Sequence, residues 1–340
     1  MLFVLFAAIF ISRLVVHLCI LLLCARPREA SVTTDRRQFL TTASLALAGS
    51  AAMRIPVFGQ TPGQAPAAPP VTKFEDIRRN VGIFTGQGGT IGWLATPDGA
   101  VAVDAQFPAT AKACVEGLQQ RSPKGIQLLI NTHYHGDHTA GNPVFRPIVK
   151  SIVQQERCAQ LHKDTTTKAG SSAQQAYADV MFGESWSQEV AGDKVWGYYY
   201  GPGHTGGDAV IVFEKANVVH MGDLMFNRVH PRVDRPGGAS IKNWINLLER
   251  VAKRHRDATF IFGHGKAGLP ITGPAKELLY FRDYLSAAMD HVRRGLQEKK
   301  SQDEVTKIEG LPKFPDHVSI NPNISLAGVL TAAYEELSAR

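Results

Sequence analysis

Thr132-His133-Tyr134-His135-Gly136-Asp137-His138 places four metal-ligand side chains within six positions. The chain has 12 histidines in 340 residues, and three of them stand in this one segment. Imidazoles at i and i+2 of an extended stretch point the same way and can share one ion. Asp137 and His138 lie beyond the turn at Gly136, so they are free to face a second ion. Three further segments set a ligand-type residue beside glycine: Gly203-His204-Thr205-Gly206-Gly207, Gly222-Asp223 and Gly263-His264-Gly265. Glycine at such places lets the backbone come close to a bound group. Imidazole and carboxylate without thiolate suit zinc, with iron or manganese as alternatives. No Ser-His-Asp or Cys-His pairing is apparent, so the expected nucleophile is a water activated by metal.

These residues need strands that end beside one another. Segments 81–85 and 91–95 run apolar around Gly86-Gln87-Gly88-Gly89, which reads as a hairpin. That glycine cluster lacks the Lys-Ser/Thr of a phosphate loop, so turn chemistry explains it. Pro97-Asp98-Gly99 is a turn before a strand over 100–104. Further strands are expected over 127–131, 195–200, 209–213, 218–221 and 259–262. Helical spacing is expected over 108–121, 152–162, 171–181 and 274–299, and from a cap at Ser240 through Val251. Each ligand segment follows an expected strand. Interleaved strands and helices, with paired strands at the front, imply an α/β layered protein with mixed sheets.

At this point the sequence resembles the metallo-β-lactamase superfamily. The family's motifs fall in order: a strand ending at Asp104, His-x-His-x-Asp-His over 133–138, then His204, Asp223 and His264. The resemblance covers roughly residues 74–290. It implies an αββα sandwich of two mixed β-sheets flanked by helices, with metals at one edge. It also implies that His133, His135 and His204 hold a first zinc, that Asp137, His138 and His264 hold a second, and that Asp223 bridges them. Asp104 is implied as a brace for the metal loop rather than a ligand. The implied chemistry is attack of a metal-bridging hydroxide, oriented by Asp137, on a carbonyl: a thioester, a lactone or ester, or a β-lactam. The commonest subclass of true β-lactamases has Cys in place of Asp223 and usually a non-histidine in place of His138. The bridging Asp is instead similar to thioester hydrolases of the glyoxalase II type and to lactonases. A β-lactamase proper, and an iron-dependent oxidoreductase of the same fold, are the alternatives. A nuclease is disfavoured because no basic face is visible, and complete ligands disfavour a non-catalytic zinc scaffold.

Other residues carry weaker signals. His230 is expected to line the pocket or brace the site, and Trp93 to sit in a hairpin closing over substrate. His220 reads as a strand residue beside the site, and His162, His255, His291 and His317 as surface residues. Trp186, Trp196 and Trp244 read as core. Arg293, Arg294, Lys299 and Lys300 read as the solvated face of a helix rather than a substrate patch. Cys114 and Cys158 show no CxxC pattern and read as small buried hydrophobes.

The formal charge of +7 does not point to nucleic acid, because residues 1–59 carry six arginines against Glu29 and Asp35. Residues 1–58 read as a leader. Asp35-Arg36-Arg37-Gln38-Phe39-Leu40, followed by a mild apolar run, resembles a twin-arginine export signal. The expected address is therefore exported and periplasmic, with transient contact with the export machinery. The apolar run 2–25 in front of it is read as a misassigned start, with an N-terminal membrane segment as the alternative. Residues 59–72, rich in Pro and Ala, read as a linker to a single hydrolase domain over 73–340 with C-terminal helices.

Overall fold

A computed structural model describes residues 70–170, 175–321 and 324–339. The leader, the twin-arginine-like segment and most of the linker lie outside the described residues. Among the described residues, no helix is long and apolar enough to cross a membrane.

Two mixed sheets make the frame. The first holds β1 (Lys73–Arg78), β2 (Val81–Thr85), β3 (Ile91–Thr96), β4 (Gly99–Val103), β5 (Ile126–Ile130), β6 (Ser151–Gln155) and β7 (Val180–Phe182), in that spatial order. β1 to β4 pair antiparallel, and β4 to β7 pair parallel. The second sheet contains β8 (Ser185–Val190), β9 (Asp193–Tyr199), β10 (Ala209–Phe213), β11 (Val218–His220), β13 (Thr259–Ile261) and β15 (Thr272–Gly273), in the order β15-β13-β11-β10-β9-β8. A two-stranded parallel pair joins β12 (Phe226–Asn227) to β14 (His264–Gly265).

Alternation along the strands explains the layering. Val101 and Val103 of β4 pack with Ile211 and Phe213 of β10 between the sheets, while Ala100 and Ala102 face α1 (Pro108–Arg121). In β10 the other face sends Val210 and Val212 toward α5 (Ile241–Arg254) and α6 (Ala275–Gln297). Central strands covered on both faces read as continuous apolar runs, as Gly99–Val103 does. The result is the αββα sandwich expected from the sequence. In α5, Ser240 caps the helix by accepting from the Asn243 amide, and Trp244, Leu247, Leu248 and Val251 are buried along one stripe.

Several expectations are corrected. Segment 152–162 is not one helix: β6 ends at Gln155, whose side chain then caps α4 (Glu156–Lys168) by accepting from the Arg157 and Cys158 amides. Ile152 and Val153 are buried beside parallel β5, and a short run covered on both faces has no period to separate strand from helix. Of segment 171–181, residues 175–179 are not helical and the chain then forms β7 along β6. β1 has no signal in the sequence, because most of its side chains are exposed and no apolar alternation marks it. Trp93 does not face substrate. Register sends it to the outer face, where it packs near Phe74 with Arg121 over its ring. His162 and His317 are buried rather than at the surface, and Trp186 and Trp196 are only half-buried, whereas Trp244 is core. Cys114 and Cys158 are buried and unpaired, and burial pushes both thiols up.

Candidate metal centre

The loop after β5 makes two short helical turns, α2 (Gly136–Thr139) and α3 (Asn142–Phe145). His133 and His135 precede α2, while Asp137 and His138 lie within it. His204 stands in the loop from β9 to β10, Asp223 in a 3-10 turn after β11, and His264 at the start of β14. Two groups of donor atoms result, His133, His135, His204 and Asp223 in one and Asp137, His138 and His264 in the other, each with its donors within 4.8 Å of one another.

Asp223 stands between the groups with one carboxylate oxygen toward each. Oδ1 lies 3.1 Å from His138 Nε2 and 3.4 Å from His264 Nε2. Oδ2 lies 3.5 Å from His204 Nε2 and 3.8 Å from His133 Nε2. Close approach here demands glycine: a Cβ on Gly263 would overlap Asp223 Oδ1, and one on Gly89 would overlap the His138 ring.

Outer hydrogen bonds settle which nitrogen of each imidazole faces inward. Thr132 Oγ1 donates to Asp104 Oδ2 at 2.8 Å, so it is free to accept from His133 Nδ1 at 3.1 Å. His138 Nδ1 donates to Asp104 Oδ2 at 2.8 Å, and His204 Nδ1 to the Arg232 carbonyl at 2.7 Å. His135 Nε2 donates to Asp234 Oδ2 at 3.0 Å. Four imidazoles therefore turn their other ring nitrogen toward the centre. His135 Nδ1 and His204 Nε2 come within 2.9 Å, a repulsive pairing unless a cation lies against both. His133 Nε2 is buried without a hydrogen-bond partner. Buried polar atoms normally have one, so this donor set fits a divalent metal.

Electrostatics differ between the two groups. Burial drives His133 well down and His204 to about 3, so both are neutral. Burial also opposes charge on His138 and His264, but there Asp223 outweighs it, raising His138 well above the ordinary range and His264 to about 9. Burial resists ionising Asp137, yet the His138 charge and the His264 hydrogen bond hold it near 2. A pH dependence follows. At pH 7 the metal-free chain carries protons on His138 and His264, and a metal must displace them. Loading the Asp137, His138 and His264 group is expected to release about two protons, and its apparent affinity to rise with pH up to about 9. Loading the other group displaces none from His133 or His204. Calorimetric metal titrations in buffers of different ionisation enthalpy measure this; equal proton release in both steps would contradict it.

Asp104, with φ +70°, reaches from the end of β4 to hold Thr132 and His138. His230 is placed apart from the centre: its Nδ1 lies 2.7 Å from the Tyr284 hydroxyl, beside His317. His220 bonds the Thr90 carbonyl and the Gly222 amide at 3.0 Å each, fixing the turn that carries Asp223. Asp234 and Asp208 had no sequence signal, being single carboxylates in loops. Asp208 is buried and accepts from the Gly203 and Thr205 amides around His204; burial pushes its carboxyl up to about 6. Asp234 also accepts from the Tyr134 hydroxyl. Asp234→Ala removes the orientation of His135 and is expected to lower metal affinity or activity by about 10- to 100-fold; an unchanged metal dissociation constant and unchanged activity would show that Asp234 does not set the ring.

A cleft of about 580 Å³ opens over these donors. His135, Asp137, His204, Asp223 and His264 form its floor with Phe226, and Phe107, Arg232, Ile320 and Ile324 stand around it.

The chain belongs to the metallo-beta-lactamase superfamily, whose family model matches residues 84–264. A probable metallo-hydrolase of Methanocaldococcus jannaschii is 28% identical over 181 residues, covering 49% of this chain and 84% of that protein. Among solved structures, a metallo-beta-lactamase from Pontibacter korlensis aligns with TM-score 0.53 and 18% identity, covering 64% of this chain and 99% of that one. The stereoselective inverting sec-alkylsulfatase of Pseudomonas sp. aligns with TM-score 0.62 and 14% identity, covering 79% of this chain but only 50% of that one. At these identities the structural likenesses show the fold alone.

Proposed function

We propose that the chain is a binuclear zinc hydrolase acting on a carbonyl-type substrate, either a thioester or a lactone or ester. The observation that carries this is the carboxylate of Asp223, whose two oxygens are divided between two complete donor groups. His133, His135 and His204 would hold one ion and Asp137, His138 and His264 the other, with Asp223 shared. Divalent zinc at such a site supplies Lewis acidity and a nucleophile at neutral pH. Asp137 lines the cleft and is ionised, so its carboxylate would orient the attacking water. Phe226 stacks along His264 with centroids 5.5 Å apart and keeps the floor apolar beside the donors. The name of the Methanocaldococcus relative, a probable metallo-hydrolase, agrees with hydrolysis. The Arg36-Arg37 segment supports export through the twin-arginine route to the periplasm.

The test is turnover of a thioester, a lactone, an aryl ester and a chromogenic cephalosporin by zinc-loaded protein, with and without a chelator. Chelator-sensitive turnover of a thioester, lactone or ester is expected, and analysis of the loaded protein is expected to give two zinc ions per chain. Turnover of the cephalosporin alone would make it a β-lactamase proper. No turnover of any of the four would remove the hydrolase reading.

A further inference from the structure

The cleft over the donors has walls that the reaction itself does not require. Six large apolar side chains are exposed among the described residues, and two of them, Phe107 at 39% and Ile320 at 48%, line this cleft. They arrive from far apart in the chain, Phe107 from the turn between β4 and α1 and Ile320 from the segment leading to the helix Leu326–Ser338. Neither turn is loose. Phe107 accepts from the Ala111 amide at 2.9 Å, and its neighbour Gln106 donates to the Gly89 carbonyl at 2.6 Å. Near Ile320, Val318 accepts from the His230 amide at 2.9 Å and donates to the Arg228 carbonyl at 3.2 Å. His317 stacks on Tyr284 with ring centroids 4.1 Å apart. Exposed apolar side chains that are held in place over a cleft present a ready surface for an apolar ligand.

Arg232 lines the same cleft and is exposed. Its backbone carbonyl holds His204, but its side chain makes no hydrogen bond or ion pair among the described residues. The nearby carboxylates are already engaged: Asp223 and Asp137 with histidines, and Asp234 with His135 and Tyr134. A guanidinium without a partner at the mouth of a cleft is suited to a planar anion, which it can meet with two parallel hydrogen bonds.

We propose that the cleft takes small amphiphilic anions, with the apolar body between Phe107 and Ile320 and a carboxylate or sulfonate on Arg232. This rests on the hydrolase reading for the same site and names its substrate class: an ester or thioester whose apolar body carries an anionic group. Arg232 is then a specificity residue that fixes which end of the substrate lies over the metal centre.

Two fluorescent probes with closely related aromatic skeletons test the binding directly, one anionic (anilinonaphthalene sulfonate) and one neutral (phenylnaphthylamine). The zinc-loaded full-length protein is expected to bind the sulfonate about tenfold more tightly than the neutral amine, the size of one charge-assisted contact. Arg232→Gln keeps the backbone carbonyl that orients His204, and its zinc content checks this. It is expected to erase the preference while leaving the neutral probe's affinity in place. Ile320→Ser is expected to weaken both probes about equally. Equal affinities in the parent, or a preference that survives Arg232→Gln, would overturn the proposal. The binding pattern without any turnover would remove the hydrolase reading and leave the cleft assignment standing. Turnover without the pattern would do the reverse.

Discussion

Asp223→Ala is expected to lose at least about a thousandfold in kcat/KM on whichever substrate the parent turns over, while the chain stays folded. Among the described residues, Asp223 is the side chain with an oxygen toward each donor group, so its loss would weaken metal binding at both. It also leaves His138 and His264 facing each other at 3.4 Å without the carboxylate that favours their protons. Metal content should therefore fall with activity. Asp223→Asn keeps the shape but removes the charge, and should also fail to hold two ions. Metal analysis, kinetics and far-UV circular dichroism on both variants measure this. Parent-level metal content with activity within tenfold of the parent would refute a bridging role.

The largest effect on stability is expected at Trp244. It is fully buried, its indole N–H donates to the Leu224 carbonyl at 3.0 Å, and it packs against His204, Phe226 and Phe281. Trp244→Ala is expected to cost about 3–5 kcal/mol, because the removed ring leaves a cavity that the surrounding helix and sheet cannot collapse around. Leu224 follows Asp223 directly, so the same substitution loosens the turn carrying the shared carboxylate. Urea unfolding of the metal-free chain measures the first effect and metal affinity the second. A loss below about 1 kcal/mol would mean that the site does collapse, and that Trp244 is not what supports His204 from below.

Much of the centre was legible from residue types alone. A metal accepts only a few side chains, so His133 to His138, His204, Asp223 and His264 stood out wherever they fell, and the structure gathers them into two groups. The strands that carry them were legible too, since 100–104, 127–131 and 209–213 are short apolar runs between turn residues, and α5 announced itself by its cap and stripe. Residues 152–155 and 175–181 depart from the helical expectation for a definable reason. β6, covered on both faces, shows no alternation, β7 is only three residues long, and the hydrogen bonds that make both of them strands belong to neighbours elsewhere in the chain. Trp93 faces away from the cleft because one register step decides which face of β3 it occupies.

The sequence by itself determined the candidate donor residues, the order of the strands that present them, and the superfamily. Only the tertiary structure decided which nitrogen of each imidazole faces inward, because those hydrogen bonds come from distant residues: Asp234 meets His135 across 99 positions and Asp104 meets His138 across 34. It alone also decided the cleft, where Phe107, Arg232 and Ile320 converge. The physical reason is that metal ligation restricts residue type, which a sequence records locally. Orientation and shape depend instead on long-range packing, to which many residue types can contribute.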